Sequence, residues 1–150
     1  MARISHTKHK PAGGTKLTSL IKTNHKTTTT QNVSDFDLQF KISSVKEQLD
    51  QILDDIDQQG QTLSKSMTLD HLKKYHNLVA SYIKKATNEM YELKIRSGEY
   101  YNPHKLYITV DNIDKELENI TNEMLNSEKD RMYILDKINY IKGLLINISV

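Results

Sequence analysis

From residue 42 onward, apolar side chains recur every three or four positions, which is the spacing of one face of an α-helix. The first stripe predicts a helix over about 43–59, ended by Gly60. Its apolar positions are Ile42, Val45, Leu49, Ile52 and Ile56. Residues 36–42 instead alternate apolar and polar positions, a pattern compatible with either an extended segment or a helical lead-in.

The longest stripe predicts a helix over about 68–97, with Thr68 as its N-cap and Ser97-Gly98 at its end. Its seam steps by three and four residues, as in helices that pack side by side. The seam positions are Leu69, Leu72, His76, Val79, Ile83, Ala86, Met90 and Leu93. Because His76 lies on the seam, we expect a partly buried imidazole bonded to a neighbouring side chain.

Five of the tyrosines within the predicted helices lie mostly beside the seams. They are Tyr75, Tyr82, Tyr91, Tyr133 and Tyr140. A tyrosine at the edge of a helical core buries its ring and keeps its hydroxyl in water. We therefore expect these residues to be structural.

Two further stripes predict helices over about 105–125 and 128–148. The first would next reach Ser127 and Arg131, and these polar residues indicate a turn near Asn126. Ser127 with Asp130 is expected to cap the fourth helix. Gly143, late in that helix, is expected to permit a close helix approach or fraying. The two stripes are Leu106, Val110, Ile113, Leu117, Ile120 and Met124, then Ile134, Ile138, Ile141, Leu145 and Ile148.

Four amphipathic helices with short connections predict an all-α fold, namely an antiparallel four-helix bundle with a long second helix.

The distribution of charge divides the chain at residue 35. The first 34 residues contain no acid, whereas 15 Lys/Arg and 19 Asp/Glu follow, a net charge of −4 (15 − 19). With few large apolar residues, 1–34 are predicted to be a disordered basic arm on a single helical domain, 35–150. The cations of the arm are Arg3, Lys8, Lys10, Lys16, Lys22 and Lys26.

Several classes of function find no support in the composition. The chain has no cysteine, which excludes disulfide scaffolds and thiolate sites and suits a reducing cytoplasm, where we expect the protein. No apolar run is long enough to span a membrane. His71 and His76 are five apart, not the four that chelation on a helix requires, and the carboxylates fall on solvated faces. We therefore expect no catalytic residue, no metal, no cofactor and no enzymatic activity.

One loop mixes cationic and aromatic residues around Pro103. Its members are Arg96, Tyr100, Tyr101, His104, Lys105 and Tyr107. Such a mixture is typical of protein-binding anchors and of base stacking. These six residues are the predicted interaction surface. In the alternative interpretation, the rings merely cover the end of the long second helix.

The chain from about Phe40 to its end resembles the YaaR family of small bacterial proteins. The resemblance rests on residues of all four predicted helices, and the basic arm lies outside it. It implies a helical bundle without assigned activity, so no catalytic residue carries over. The residues are Gln59-Gly60, Leu63 and Thr68; Leu72, Tyr75 and Val79; Ile113-Asp114 and Leu117; Ile134-Leu135, Ile138 and Ile141-Lys142-Gly143-Leu144-Leu145.

These observations predict a non-enzymatic helical protein that binds another macromolecule, with a protein adaptor or regulator as the first hypothesis. A nucleic-acid-associated accessory protein is the alternative, because six cations in the arm can give weak, salt-dependent phosphate binding. A self-assembling structural protein is the third, since heptads also pack between chains. We expect a monomer or a small homo-oligomer.

Overall fold

The computed structural model describes residues 35–99 and 102–149, and within them the backbone is helical apart from short turns, with no strand. Helix α1 spans residues 35–65. It is followed by α2 (Leu69–Lys85), a π-helical turn (Ala86–Met90), α3 (Tyr91–Arg96), α4 (Pro103–Leu125) and α5 (Arg131–Ser149). The π-helical turn joins α2 to α3 directly, so residues 69–96 form one long helix. The prediction of an all-α fold is confirmed.

The chain divides into two compact units, Met1–Gln39 and Phe40–Val150, and the boundary falls within α1. Of the first unit the structure describes residues 35–39, which are helical with Leu38 buried. The second unit begins five residues later than the predicted domain of 35–150. The segment 36–42, for which the sequence allowed two conformations, is helical. The predicted basic arm, 1–34, lies outside the described residues.

Gly60 does not end the first helix, as the sequence had predicted, because α1 continues to residue 65. Gly60 is buried, and a Cβ atom placed on it would lie only 2.8 Å from Cγ2 of Ile138 in α5. Among the described glycines only Gly98, just after α3, has a positive φ (85°). Gly60 therefore permits a close approach of α1 and α5. The close approach expected at Gly143 does not occur, since no atom lies within 4 Å of a Cβ placed there.

The long helix buries five residues of the predicted seam together with two tyrosines beside it; the five are Leu72, Val79, Ala86, Met90 and Leu93. Tyr75 and Tyr82 are buried, whereas His76 is exposed and Leu69 is 65% exposed. The expectations of a partly buried His76 and of solvated hydroxyls on these two tyrosines were therefore wrong. A straight α-helix drifts about 20° per heptad from a 3.5-residue repeat, which brings neighbouring positions to the core. Phenol rings also bury far more apolar area than an imidazole.

Helices α2, α4 and α5 each begin at a side-chain cap. Thr68 accepts a hydrogen bond from the backbone N–H of His71, as expected for its predicted cap of α2. Asn102 caps α4, with Pro103 at the first helical position. Asp130, not Ser127, caps α5, because its carboxylate accepts from the backbone N–H of Met132 at 3.0 Å. Helix α5 consequently begins at Arg131, three residues later than predicted.

Helix α5 contacts both α1 and α4 through side chains. Lys142 forms an ion pair with Asp57 of α1 at 3.2 Å, and Lys137 pairs with Glu116 of α4 at 2.9 Å. The predicted stripes of α4 and α5 supply buried residues beneath these pairs: Ile113, Leu117, Ile120, Met124, Ile134, Ile138, Ile141, Leu145 and Ile148. In the described part of the chain, no helix combines the length and apolar character needed to cross a bilayer.

Candidate functional site

The predicted interaction surface surrounds the connection between α3 and α4, and the structure describes four of its six residues. Arg96 is the last residue of α3. His104, Lys105 and Tyr107 lie in the first two turns of α4, and all four side chains are exposed. Tyr100 and Tyr101 lie outside the described residues. The α4 members of the surface are thus placed together by a single helix.

We define the α4 surface as His104, Lys105, Tyr107 and Ile108. Three of them, His104, Tyr107 and Ile108, have the i, i+3, i+4 spacing that puts side chains on one face of a helix. Tyr107 is 71% exposed and Ile108 is 46% exposed. The Tyr107 ring therefore covers little of the end of the long helix; the other two rings of the alternative interpretation, Tyr100 and Tyr101, lie outside the described residues. The α4 surface therefore presents an aromatic and an aliphatic group to solvent beside an imidazole and an ammonium.

The start of α4 is held rigidly by its cap. The side-chain oxygen of Asn102 accepts from the backbone N–H groups of His104 and Lys105, at 3.0 and 3.4 Å. Pro103 fixes its own φ at the first helical position. The cap therefore orders the backbone that carries Tyr107 and Ile108.

Arg96 belongs to a different feature, a cleft between α1 and the last turns of the long helix. The cleft has a volume of about 320 Å³, with Val45 and Leu93 buried in its lining. Phe40, 66% exposed, and Arg96 also line it. The structure thus places Arg96 on the rim of an interhelical cleft, whereas the other described members of the predicted surface lie on α4.

A second cleft of about 430 Å³ continues the first along the same pair of helices. The two clefts share Asn88 and Glu89, both in the π-helical turn. We call their combined lining the α1 groove. It consists of Phe40, Lys41, Ser44, Val45, Gln48, Gln51, Ile52, Ser81, Lys84, Lys85, Asn88, Glu89, Glu92, Leu93 and Arg96. Sequence reasoning missed this groove because its residues come from two helices and only the fold brings them together.

The titratable groups that could carry chemistry are dispersed. Within residues 35–99 and 102–149, no group of three or more histidine or acidic side chains is placed to hold a metal ion. His71 lies with its Nδ1 3.4 Å from Nε2 of Gln59, while His76 is exposed. Asp111, one of the carboxylates predicted to be solvated, pairs with Lys115 on the same helix at 3.2 Å. These groups behave as surface and packing residues of helices.

The buried polar groups lie among the helices. The Tyr75 hydroxyl is fully buried without a hydrogen-bond partner in the described chain. Burial raises the pKa of Tyr75 above its ordinary value, and the charge of Asp57 adds to the shift. Lys94 is 7% exposed, and its Nζ donates to the backbone carbonyl of Ser149 at 3.2 Å. Lys94 therefore links α3 to α5 by a hydrogen bond, whereas the Tyr75 hydroxyl makes none within the described chain.

A family profile and a curated relative both place the chain among proteins of uncharacterised function. The profile of the family described as "Protein of unknown function (DUF327)" matches residues 13–149. The match includes residues 13–34, although the arm was expected to lie outside the family resemblance. The chain is 33% identical over 103 residues to the uncharacterized protein YaaR of Bacillus subtilis, covering 68% of this chain and 70% of that protein.

Two solved structures resemble the fold. The crystal structure of the uncharacterized protein BH1478 from Bacillus halodurans superimposes with a TM-score of 0.72 at 31% identity, over 78% of this chain and 97% of that chain. Moevan, described as a designed granulopoietic protein made by topological rescaffolding, gives a TM-score of 0.69 at 27% identity. That likeness covers 73% of this chain and 95% of the designed one.

Proposed function

The chain belongs to the family described as "Protein of unknown function (DUF327)". From the surfaces of the chain itself, we propose that it is a non-enzymatic protein that binds another protein. Adaptor and regulatory proteins of this kind act by presenting a surface on a stable scaffold. The cytoplasmic location expected from the absence of cysteine is part of the proposal.

The observation that carries the proposal is the exposure of Tyr107 and Ile108 at the capped start of α4. Tyrosine is enriched among the residues that dominate binding energy at protein interfaces, because it contributes a large ring and a polar hydroxyl at low entropic cost. Lys105 and His104 beside them supply hydrogen-bond donors for the rim of such a contact. The α4 surface thus has the composition of a small protein-binding anchor.

We further propose that the scaffold is an antiparallel four-helix bundle. Two contacts support antiparallel α1 and α5. Asp57 of α1 pairs with Lys142, while Gly60, three residues later in α1, lies against Ile138, four residues earlier in α5. Short connections between successive helices favour the same arrangement for the remaining pairs.

The non-enzymatic part of the proposal is supported by the ion pairs that three carboxylates on the packed helices form. Asp57, Asp111 and Glu116 each form an ion pair with a lysine. General acid–base catalysis instead needs two titratable groups in one cleft whose environments separate their pKa values.

The test is affinity capture from a native lysate with the full chain as bait, with and without nuclease. Tyr107→Ala combined with Ile108→Ala should weaken retention of a protein partner by roughly tenfold or more, because the anchor is removed. Leu125→Ala combined with Met132→Ala is the matched control, since it also removes two exposed apolar side chains. Retention by the control should equal that of the wild type.

Other outcomes favour the other hypotheses. Partners that disappear with nuclease, or on deletion of residues 1–34, would support nucleic-acid association through the arm. A molecular mass in light scattering greater than that of one chain, with no second protein retained by the bait, would support self-assembly. A partner retained equally by both double variants would show that the α4 surface is not the anchor.

A further inference from the structure

We propose that the α1 groove binds an acidic amphipathic helix of a partner protein. The inference rests on the proposed protein-binding function and assigns to it a second surface and the chemistry of its occupant. The groove lies entirely within the unit Phe40–Val150 and is separate from the α4 surface.

The groove has an apolar floor and polar walls. Val45 and Leu93 are buried at its base, Ile52 is half-buried, and Phe40 stands exposed at one end. A partner that inserts apolar side chains there would desolvate an aromatic ring and extend the contacts of three aliphatic residues. Apolar anchors in a groove with a polar rim are the usual anatomy of a stable protein contact.

The length of the groove matches that of a short helix. Its lining on α1 recurs at Phe40, Ser44, Gln48 and Ile52, which is one stripe of a helix. Twelve residue steps of 1.5 Å make the stripe about 18 Å long, the length of roughly three helical turns. Helices that bind such grooves insert side chains at positions i, i+3 or i+4, and i+7.

Charge determines which helix fits. The groove lining contains four cations and two carboxylates, a net charge of +2, on a chain that carries −4 from residue 35 onward. Glu89 already pairs with Lys85 at 3.0 Å. Lys84 and Arg96 have no ion-pair partner within the described residues. Complementarity therefore calls for acidic residues flanking the apolar face of the partner helix.

The same charges argue against a symmetric dimer through this groove. A two-fold contact places each surface against its own copy. The groove would then face another net positive groove, and like charges brought together oppose association. An acidic helix of a different protein meets no such opposition.

The π-helical turn lies at the midpoint of the groove. Asn88 and Glu89, which line both clefts, are two of its five residues, and both are exposed. Short π-helical turns within α-helices are frequent at functional sites, where they alter the direction of side chains. Asn88 is thus the position from which to detect an occupant of the whole groove.

The experiment places the photo-crosslinking amino acid p-benzoylphenylalanine at Asn88 of the full chain in the native bacterium. Illumination is followed by mass spectrometry of the crosslinked peptide. Asn139, exposed on α5, is the control position. We expect a crosslink from Asn88 to an acidic segment of another protein with helical apolar spacing. The charge reversal Lys84→Glu with Arg96→Glu should reduce its yield at least fivefold, whereas Lys129→Glu with Arg131→Glu should leave it unchanged.

The possible failures are distinguishable. A crosslink to a second copy of the chain, to a segment without acidic excess, or one insensitive to Lys84→Glu with Arg96→Glu would overturn the groove assignment. If affinity capture still yields a partner that depends on Tyr107 and Ile108 while Asn88 gives no crosslink, the groove proposal fails and the proposed function stands. No crosslink from Asn88 together with no captured partner would refute both.

Discussion

Two glycines in neighbouring helices have opposite environments. At Gly60 the missing Cβ makes room for Cγ2 of Ile138, whose branched side chain is itself buried and cannot turn away easily. At Gly143 the corresponding space is open. The same residue type therefore serves helix packing in α1 and only lowers helix propensity in α5.

Replacing each glycine by alanine separates these two effects. Gly60→Ala should lower the free energy of unfolding by about 1–3 kcal/mol, because overpacking outweighs the gain in helix propensity. Gly143→Ala should raise it by up to about 1 kcal/mol, since only the propensity changes. Urea denaturation of the two variants measures both. Equal shifts in the same direction would show that the α1–α5 contact is looser than described.

The glycines also show what a sequence read by itself misses. Gly60 follows the last position of the first predicted stripe, so it resembles a helix terminator, yet the residue that it contacts closely, Ile138, lies 78 residues away in the chain. Likewise, the spacing of apolar positions placed His76 on the seam and Tyr75 beside it, whereas the fold buries Tyr75 and exposes His76. Long-range packing decides both cases, and periodicity contains no information on it.

Among the helices, the beginnings depend on individual polar side chains. Asp130 accepts from the N–H of Met132, and its own N–H donates to Oε1 of Glu123 at 2.9 Å. Asp130 thus joins the end of α4 to the start of α5. Ser127 lies exposed in the same connection.

Asp130→Ala should lower the free energy of unfolding by about 1 kcal/mol, because α5 loses its N-cap. Ser127→Ala should change it by less than about 0.5 kcal/mol, as for other surface substitutions. Thermal or chemical denaturation followed by circular dichroism measures both variants. A larger loss in Ser127→Ala would mean that the serine, as the sequence predicted, is the functional cap.

At the level of elements, the 3.6-residue spacing predicted the four helical regions and most of the buried faces of α4 and α5. No sequence pattern indicated the π-helical turn, because Ala86–Met90 continues the apolar seam with neither a polar seam position nor a glycine. The predicted interaction surface stays a prediction, and the fold shows only where four of its six residues lie. His104, Lys105 and Tyr107 of the α4 surface were named from the sequence and Ile108 was not, whereas the α1 groove needs two helices placed side by side and could not be derived from either helix separately.

For the molecule as a whole, three titratable groups give stability a common dependence on alkaline pH. Burial raises the pKa of Tyr75 and of Tyr82, and the hydrogen bond with Glu116 raises the pKa of Lys137. In each case the folded state holds its proton more tightly than the unfolded chain. The stabilisation is complete below the unfolded pKa values, near pH 10, and is lost as pH rises through the folded values.

We therefore expect the free energy of unfolding to fall steeply above about pH 10, by up to about 1.4 kcal/mol per pH unit for Tyr75. Tyr75→Phe should make this decline shallower, because the buried phenol no longer ionises on unfolding. Tyr140→Phe, at an exposed tyrosine, is the control and should retain the wild-type slope. Urea denaturation at pH values from 8 to about 11 provides the measurement; identical slopes in all three proteins would contradict the assignment.

The contact of Lys94 with Ser149 bears on how the native state opens. Helix termini usually exchange their amide hydrogens fastest, because they open locally at little cost. Here the carbonyl of Ser149 is held by a buried ammonium 55 residues earlier, and its side chain is hydrogen-bonded to Tyr82. Opening the last turn of α5 breaks both bonds. The end of α5 therefore belongs to the same cooperative unit as the middle of the long helix, with slow amide exchange where fraying would ordinarily be found.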